Sequence, residues 1–299
     1  MSVVALSLVG PTASGKSAVA LGLARRHPDL ELVSVDSMQV YRGMDIGTAK
    51  PTLAEQVEVP HHVIDVADAD EDYTVARFQV DVAAALAGIE ARGHRAVLVG
   101  GTGLYLRAAV DGLEIPGRYE AARAQVELEP DTAVLHGQLS MLDPVSAARM
   151  EPENRRRIVR ALEVTIGSGR PFSSYGPGME TYRPLPFPIV GLRLDRDELD
   201  RRIAARYQDQ LDAGFVAEVA GLAARPGGLS RTAGQALGYR ELLAHLAGDT
   251  TFTEAVEGAA ARTRRFARRQ ERWFRRDPRL TWVDAGHNAL VDTDALLGD

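Results

Sequence analysis

Apolar positions along the chain follow two different periods. Residues 3–9 (VVALSLV) form an unbroken apolar run closed by Gly10-Pro11. A run of that length between turn residues predicts a strand buried on both faces, as in a parallel sheet. Residues 16–26 bring Ala18, Leu21, Leu23 and Ala24 onto one helical face, which predicts a helix. Residues 31–35 predict a second strand, closed by Asp36-Ser37, and residues 75–91 a helix stopped by Gly93. Residues 96–99 predict a third strand, closed by Gly100-Gly101-Thr102-Gly103. Strands alternating with helices imply βαβ units and a parallel sheet, whose carboxyl ends are where ligands bind.

The pattern changes after Pro116-Gly117. Residues 118–170 carry helical periodicity and no strand, and 171–188 are rich in Pro, Gly, Ser and Tyr, as loops are. Strand character returns at 189–194 (IVGLRL). Residues 195–276 then read as helix broken at Gly214, 226–228 and Gly248, ahead of a short strand, LTWVD, and a polar tail. The expected fold is α/β: a P-loop NTPase-like parallel sheet flanked by helices, with an all-helical insertion domain. Residues 1–117 and 189–299 would form the catalytic core and 118–188 the insertion.

Composition agrees with a folded chain: 45% of the 299 residues are hydrophobic and 25% charged. The absence of cysteine excludes disulfides, zinc–thiolate sites and a cysteine nucleophile, and suits a reducing, cytoplasmic setting. Apolar runs are too short for a membrane span. The first residues lack the basic segment and cleavage site of a signal peptide and lead straight into a glycine motif. No exposed apolar stripe stands out, so a monomer is expected.

A net charge of −6 argues against a nucleic-acid partner until it is divided. Residues 1–153 carry 12 basic and 22 acidic side chains, a net of −10, whereas 154–299 carry 23 and 19, a net of +4. Four Arg fall within 154–160 and nine within 262–279. Lysine occurs twice, at Lys16 and Lys50, against 33 Arg. Such a bias reflects genome composition, which singles out the two remaining lysines.

Gly10-Pro11-Thr12-Ala13-Ser14-Gly15-Lys16-Ser17 matches G-x-x-x-x-G-K-[ST] between a predicted strand and a predicted helix. Glycines there let backbone N–H groups face an anion, and the helix N-terminus adds positive potential. Lys16 reaches the terminal phosphate and the Ser17 hydroxyl can ligate Mg²⁺. Phosphoryl transfer also wants an acid holding the metal at another strand end. The third strand ends in Gly100-Gly101-Thr102 instead. Asp36 is the acid placed at a strand end, and local rules leave it as a general base or a helix N-cap. On these grounds alone a P-loop small-molecule kinase, with Asp36 deprotonating a hydroxyl, is the first reading. A nucleotide-switched RNA-binding regulator is another.

Further stretches narrow the choice. GPTASGKS (10–17), DSMQVYRGMDIGTAKP (36–51), GGTGLYLRA (100–108) and RRRIVRALEV (155–164) resemble the tRNA dimethylallyltransferases, also called isopentenyl-tRNA transferases. IAARYQDQL (203–211), QALGYRELL (235–243) and TRRFARRQERWF (263–274) extend the resemblance over residues 3–284, and both lysines lie inside it.

The resemblance implies Mg²⁺-dependent transfer of a dimethylallyl group from dimethylallyl diphosphate. The acceptor is the exocyclic N6 of the adenosine 3′-adjacent to the anticodon. The P-loop would then hold a diphosphate leaving group, and no second metal acid is required. By the same resemblance Asp36 is the base, Thr102 lies near the reacting centre, and Arg206 lies near the diphosphate, with Arg240 of similar standing. Asp36, Ser37, Met38 and Gln39 match the segment that reads the flipped adenine. Arg123, Arg156, Arg157 and Arg160 match the tRNA-contacting side of the insertion. Local patterns offer plainer alternatives: an N-cap for Thr102, a solvated surface for Arg206, half-buried packing for Tyr41. Relatives often carry Gln at the position of Arg156, and the opening of the insertion is shorter here than usual.

Overall fold

Six strands form one all-parallel sheet in the order β3-β2-β4-β1-β5-β6. They are β1 (Val4–Val9), β2 (Leu30–Ser34), β3 (His61–His62), β4 (Arg95–Gly100), β5 (Ile189–Arg193) and β6 (Leu280–Asp284). The computed structural model describes residues 3–297. Every residue of β1 and β2 is buried. That explains their unbroken apolar runs, because helices cover both faces of the sheet.

On one face, Leu6, Leu8, Leu32, Val97 and Leu192 pack with α1 (Lys16–Arg26) and α13 (Ala289–Asp294). Helix α1 buries Val19, Ala20, Leu21, Leu23 and Ala24, while Ala18 is exposed, one position off the expected face. On the other face, Val9, Val33 and Leu98 meet α3 (Val75–Ala91) and α4 (Gly103–Val110) in the same core as α9 (Arg196–Asp212), α10 (Phe215–Ala223), α11 (Tyr239–Leu246) and α12 (Phe252–Phe274). The breaks between the last four fall around Gly214, 224–238 and 247–251. Helix α2 (Leu53–Glu58) carries a capping box from Thr52 and Glu55.

Residues 111–183 form a second compact unit. It contains α5 (Glu120–Glu127), α6 (Thr132–Leu142), α7 (Pro144–Ala148) and α8 (Arg155–Ser168). Its own core is built from Val126, Leu135, Leu139, Ile158 and Leu162. Both bounds differ from the expected 118–188. The unit begins where α4 ends, before any helical periodicity. At the far end, 184–188 belongs with the sheet: the Ser7 N–H donates to Pro188 O (3.0 Å), and Leu185 and Phe187 pack on the sheet core.

Candidate active site

The carboxyl ends of β1, β2 and β4 carry three loops that meet. Residues 10–15 leave β1 and turn into α1. Gly10 has φ +148°, and a Cβ there would lie 2.7 Å from Leu192 O; Gly15, at φ +93°, is the residue before the helix. Even Ala13 holds a left-handed φ of +65°, so the loop imposes its shape on a residue that resists it. The Ser14 hydroxyl is buried and meets no protein partner. Lys16 Nζ folds back to donate to Pro11 O at 2.7 Å.

Two cations converge here. Arg206 of α9 donates from Nη1 to Thr12 Oγ1 at 3.1 Å, so it is fixed to the loop and is no surface residue. Burial, helped by the Arg206 charge and opposed by Asp36, pushes the Lys16 ammonium down to about 7. Burial also lowers the Arg206 guanidinium, against the Tyr207 and Asp36 contributions. A pocket that holds two mutually repelling cations, amide donors and one acid is organised for an anion. Arg240, in contrast, is exposed on α11.

Asp36 follows β2 with no helix after it, so the N-cap alternative has nothing to cap. Its Oδ1 instead accepts the Met38 N–H (2.8 Å) and more weakly the Gln39 N–H (3.4 Å), closing an Asx turn. That fixes the carboxylate and leaves Oδ2 available. Thr102 does precede a helix, α4, and its carbonyl accepts the Leu106 N–H at 3.0 Å. Its hydroxyl, however, reaches across, accepting the Ser37 N–H at 3.2 Å and donating to Ser37 Oγ at 3.5 Å.

The rest of the 36–51 stretch is a scaffold. Gln39 has both ends of its amide engaged: Oε1 accepts from Ser34 Oγ (2.8 Å) and Nε2 donates to Ala49 O (3.2 Å). Met38 packs partly on the sheet core, and Tyr41 is fully buried, edge-on to Tyr73 at 6.4 Å, so Tyr41 is packing. Lys50 Nζ donates to Tyr41 O (2.8 Å), Asp45 Oδ1 (2.6 Å) and Asp65 Oδ1 (2.6 Å). Glu218 of α10 accepts the N–H groups of Asp45, Ile46 and Gly47 at 2.8–3.1 Å. At Gly47 a Cβ would stand 2.2 Å from Phe215 and 2.4 Å from Tyr239.

Sequence reasoning missed Gln270. Inside α12 it accepts the Thr12 N–H on Oε1 (2.9 Å) and donates from Nε2 to Gly101 O (2.8 Å), joining the β1 and β4 loops. Around it α12 buries Ala255, Ala259, Thr263, Ala267 and Phe274, while Arg265, Arg269, Arg272, Arg275 and Arg276 are exposed. Arg262 and Arg268 are instead drawn to Glu241 (2.9 Å) and Asp200 (3.4 Å).

Within the helical unit the expected arginines divide in two. Glu163, buried in α8, receives Arg160 Nη1 (2.5 Å), Arg123 Nη1 (3.4 Å) and the Tyr119 N–H (3.0 Å). Arg123 and Arg160 therefore hold the unit together. Arg156 and Arg157 are exposed.

A glycine-rich loop between β1 and α1, a parallel sheet and paired cations at the loop define a P-loop α/β protein shaped for a polyphosphate group, with an acid at the next strand end. The family model described as IPP transferase matches residues 39–277, and that described as isopentenyl transferase matches 3–64. The chain belongs to the IPP transferase family. A tRNA dimethylallyltransferase of a Nocardioides species is 48% identical over 96% of this chain and 93% of its own. The solved tRNA isopentenylpyrophosphate transferase of Bacillus halodurans superposes with a TM-score of 0.70 at 36% identity, covering 97% of this chain and 94% of that one. A eukaryotic dimethylallyltransferase crystallised acting on tRNA has a TM-score of 0.79 at 26% identity, over 97% of this chain and 76% of its own.

Proposed function

We propose that this chain transfers the dimethylallyl group of dimethylallyl diphosphate to the exocyclic N6 of the adenosine 3′-adjacent to a tRNA anticodon, in the cytoplasm and as a monomer. The observation that carries the reading is the end of β4. Thr102 stands where a phosphoryl-transfer enzyme needs a metal-holding acid, and it is bonded to the loop that carries Asp36. Such a site releases a diphosphate whole and has a base for a second substrate.

In the step, the N6 nitrogen attacks C1 of the dimethylallyl group and the C1–O bond breaks. Its electron pair leaves on the diphosphate, and the N6 proton passes to Asp36 Oδ2. The N6 lone pair is delocalised into the ring, so proton removal during bond formation is worth much to the rate. Loop amides, Lys16 and Arg206 stabilise the charge growing on the leaving oxygen. The buried Ser14 hydroxyl has its remaining hydrogen-bond capacity for the same anion.

Magnesium takes few protein oxygens and completes its shell from phosphates and water. Ser17 is exposed on the first turn of α1, and among the described residues no group of three or more His, Asp or Glu converges to hold a metal. That donor set fits an ion shared with a diphosphate through the Ser17 hydroxyl. Bound there, Mg²⁺ would neutralise charge on the leaving group.

The acceptor base must leave its stack to reach Asp36. Ser37, Met38 and Gln39 line the Asp36 turn, where a flipped adenine would be enclosed. The exposed arginines of α12, with Arg156, Arg157 and Arg240, serve the tRNA backbone of the anticodon stem-loop. Incubating the protein with unmodified tRNA, Mg²⁺ and labelled dimethylallyl diphosphate tests this. Label in RNA supports it; consumption of ATP with no transfer would replace it with the kinase reading.

A further inference from the structure

We infer that Gln270 is a positioning residue for the diphosphate: it sets the peptide unit through which Lys16 is aimed. The inference rests on the transferase reading for its substrate and on geometry for everything else. The Pro11–Thr12 peptide is one planar trans group. Its N–H donates to Gln270 Oε1 at 2.9 Å, and its C=O accepts Lys16 Nζ at 2.7 Å. Turning that plane moves both partners together. Holding the N–H from α12 therefore fixes where the carbonyl tethers the ammonium.

Thr12 is gripped a second time, by Arg206 at its hydroxyl (3.1 Å). One residue thus gathers the loop, the helix α9 cation and α12. The Gln270 amide is itself oriented by its donation to Gly101 O at 2.8 Å, one residue before Thr102. A carboxamide accepts on one side and donates on the other, whereas a carboxylate accepts at both and a thioether does neither usefully. The fit is close: a Cβ on Gly101 would stand 2.3 Å from Gln270 Nε2. The residue is only 7% exposed, so little water is at hand to replace either bond.

The test compares wild type with Gln270→Met and Gln270→Glu. Calorimetry with inorganic diphosphate and with dimethylallyl diphosphate, both with Mg²⁺, reads the loop. Filter binding of tRNA and the melting temperature report whether α12 and the fold persist. Both variants are expected to bind both diphosphates at least about tenfold more weakly. The KM for dimethylallyl diphosphate should rise in parallel, with tRNA affinity within about twofold of wild type. Wild-type diphosphate affinity in either variant overturns the inference. So does parallel loss of both ligands in both variants, which would make Gln270 a packing residue. Inorganic diphosphate reads the loop whatever organic group is transferred. Failure of wild type to prenylate tRNA thus strikes the transferase reading and leaves this one standing or falling separately.

Discussion

The Thr102 hydroxyl accepts the backbone N–H of Ser37 at 3.2 Å, tying the loop after β4 to the turn that presents Asp36. The two loops come from non-consecutive strands, β2 and β4, that are neighbours in the sheet. The bond sets the placement of the acid without touching the P-loop amides. Thr102→Val keeps the shape and removes the acceptor. It should lower kcat about 10–100-fold, typical for a lost positioning contact, with KM for dimethylallyl diphosphate within a factor of two. Steady-state kinetics with tRNA held saturating checks it. A rise in KM with unchanged kcat would place Thr102 on the diphosphate instead.

Asp36→Ala should reduce transfer by about 10²–10⁴-fold, the usual worth of a general base, while diphosphate binding survives. Single-turnover transfer and calorimetry on the same preparation separate the two. Equal loss of binding would assign Asp36 to the metal or to the turn that its Oδ1 closes.

Lys16 should make diphosphate binding pH-dependent. Its ammonium sits at about 7 in the protein alone, and an adjacent diphosphate raises it again. Binding therefore takes up a proton from about pH 7 upward, and affinity falls as pH rises through that range. Stability has the opposite sense. The folded value lies below the unfolded 10.5, so the unfolded chain binds the extra proton between those pH values, and stability rises with pH across them. Lys16→Met should lose the proton uptake, seen as buffer-dependent binding heat. It should also melt a few degrees higher than wild type at pH 6, a difference that shrinks by pH 9.

The arginines of α12 differ in what they do. Arg265, Arg269 and Arg272 are exposed on successive turns, with Arg269 over the Phe266 ring at 5.7 Å. Changing these three to Ala should weaken tRNA binding and flatten its log–log salt dependence by about two, since each phosphate contact contributes roughly 0.7–0.9. Arg262→Ala should leave the slope alone, because Arg262 is spent on Glu241 and Gln235 O. An unchanged slope in the triple variant would return the stripe to ordinary solvated surface.

What was legible in the sequence had its physical cause within a short stretch of chain. The P-loop's amides, cation and hydroxyl come from residues 10–17, and the buried strands announce themselves as apolar runs. What was not legible depends on partners far away. Gln270 meets Thr12 across 258 residues, and nothing local distinguishes it from its helical neighbours; Arg206, 194 residues from Thr12, is placed near the diphosphate by the family resemblance alone and not by any local pattern. The same limit applies to Arg123 and Arg160, expected on the tRNA-contacting side of the insertion: their ion pairs with the buried Glu163 have no local signature. Two-residue β3 is too short to show any period, and α13 hides in an apparently polar tail because its buried positions are Ala289 and Thr293.

The setting of Lys50 explains a feature of the whole composition. Its side chain is 3% exposed, and its ammonium stands at the junction of a carbonyl and two carboxylates from three parts of the chain. A compact head on a flexible stem turns its three donors toward oxygens on different sides of such a corner, whereas a planar fork keeps its donors in one plane. A chain drifting from Lys to Arg has kept a lysine at this corner and another at Lys16, whose ammonium is tethered to Pro11 O at 2.7 Å. The residue usage of this protein thus reads as shape as well as charge: arginine where a fork or an exposed charge serves, lysine at two corners that use a point cation.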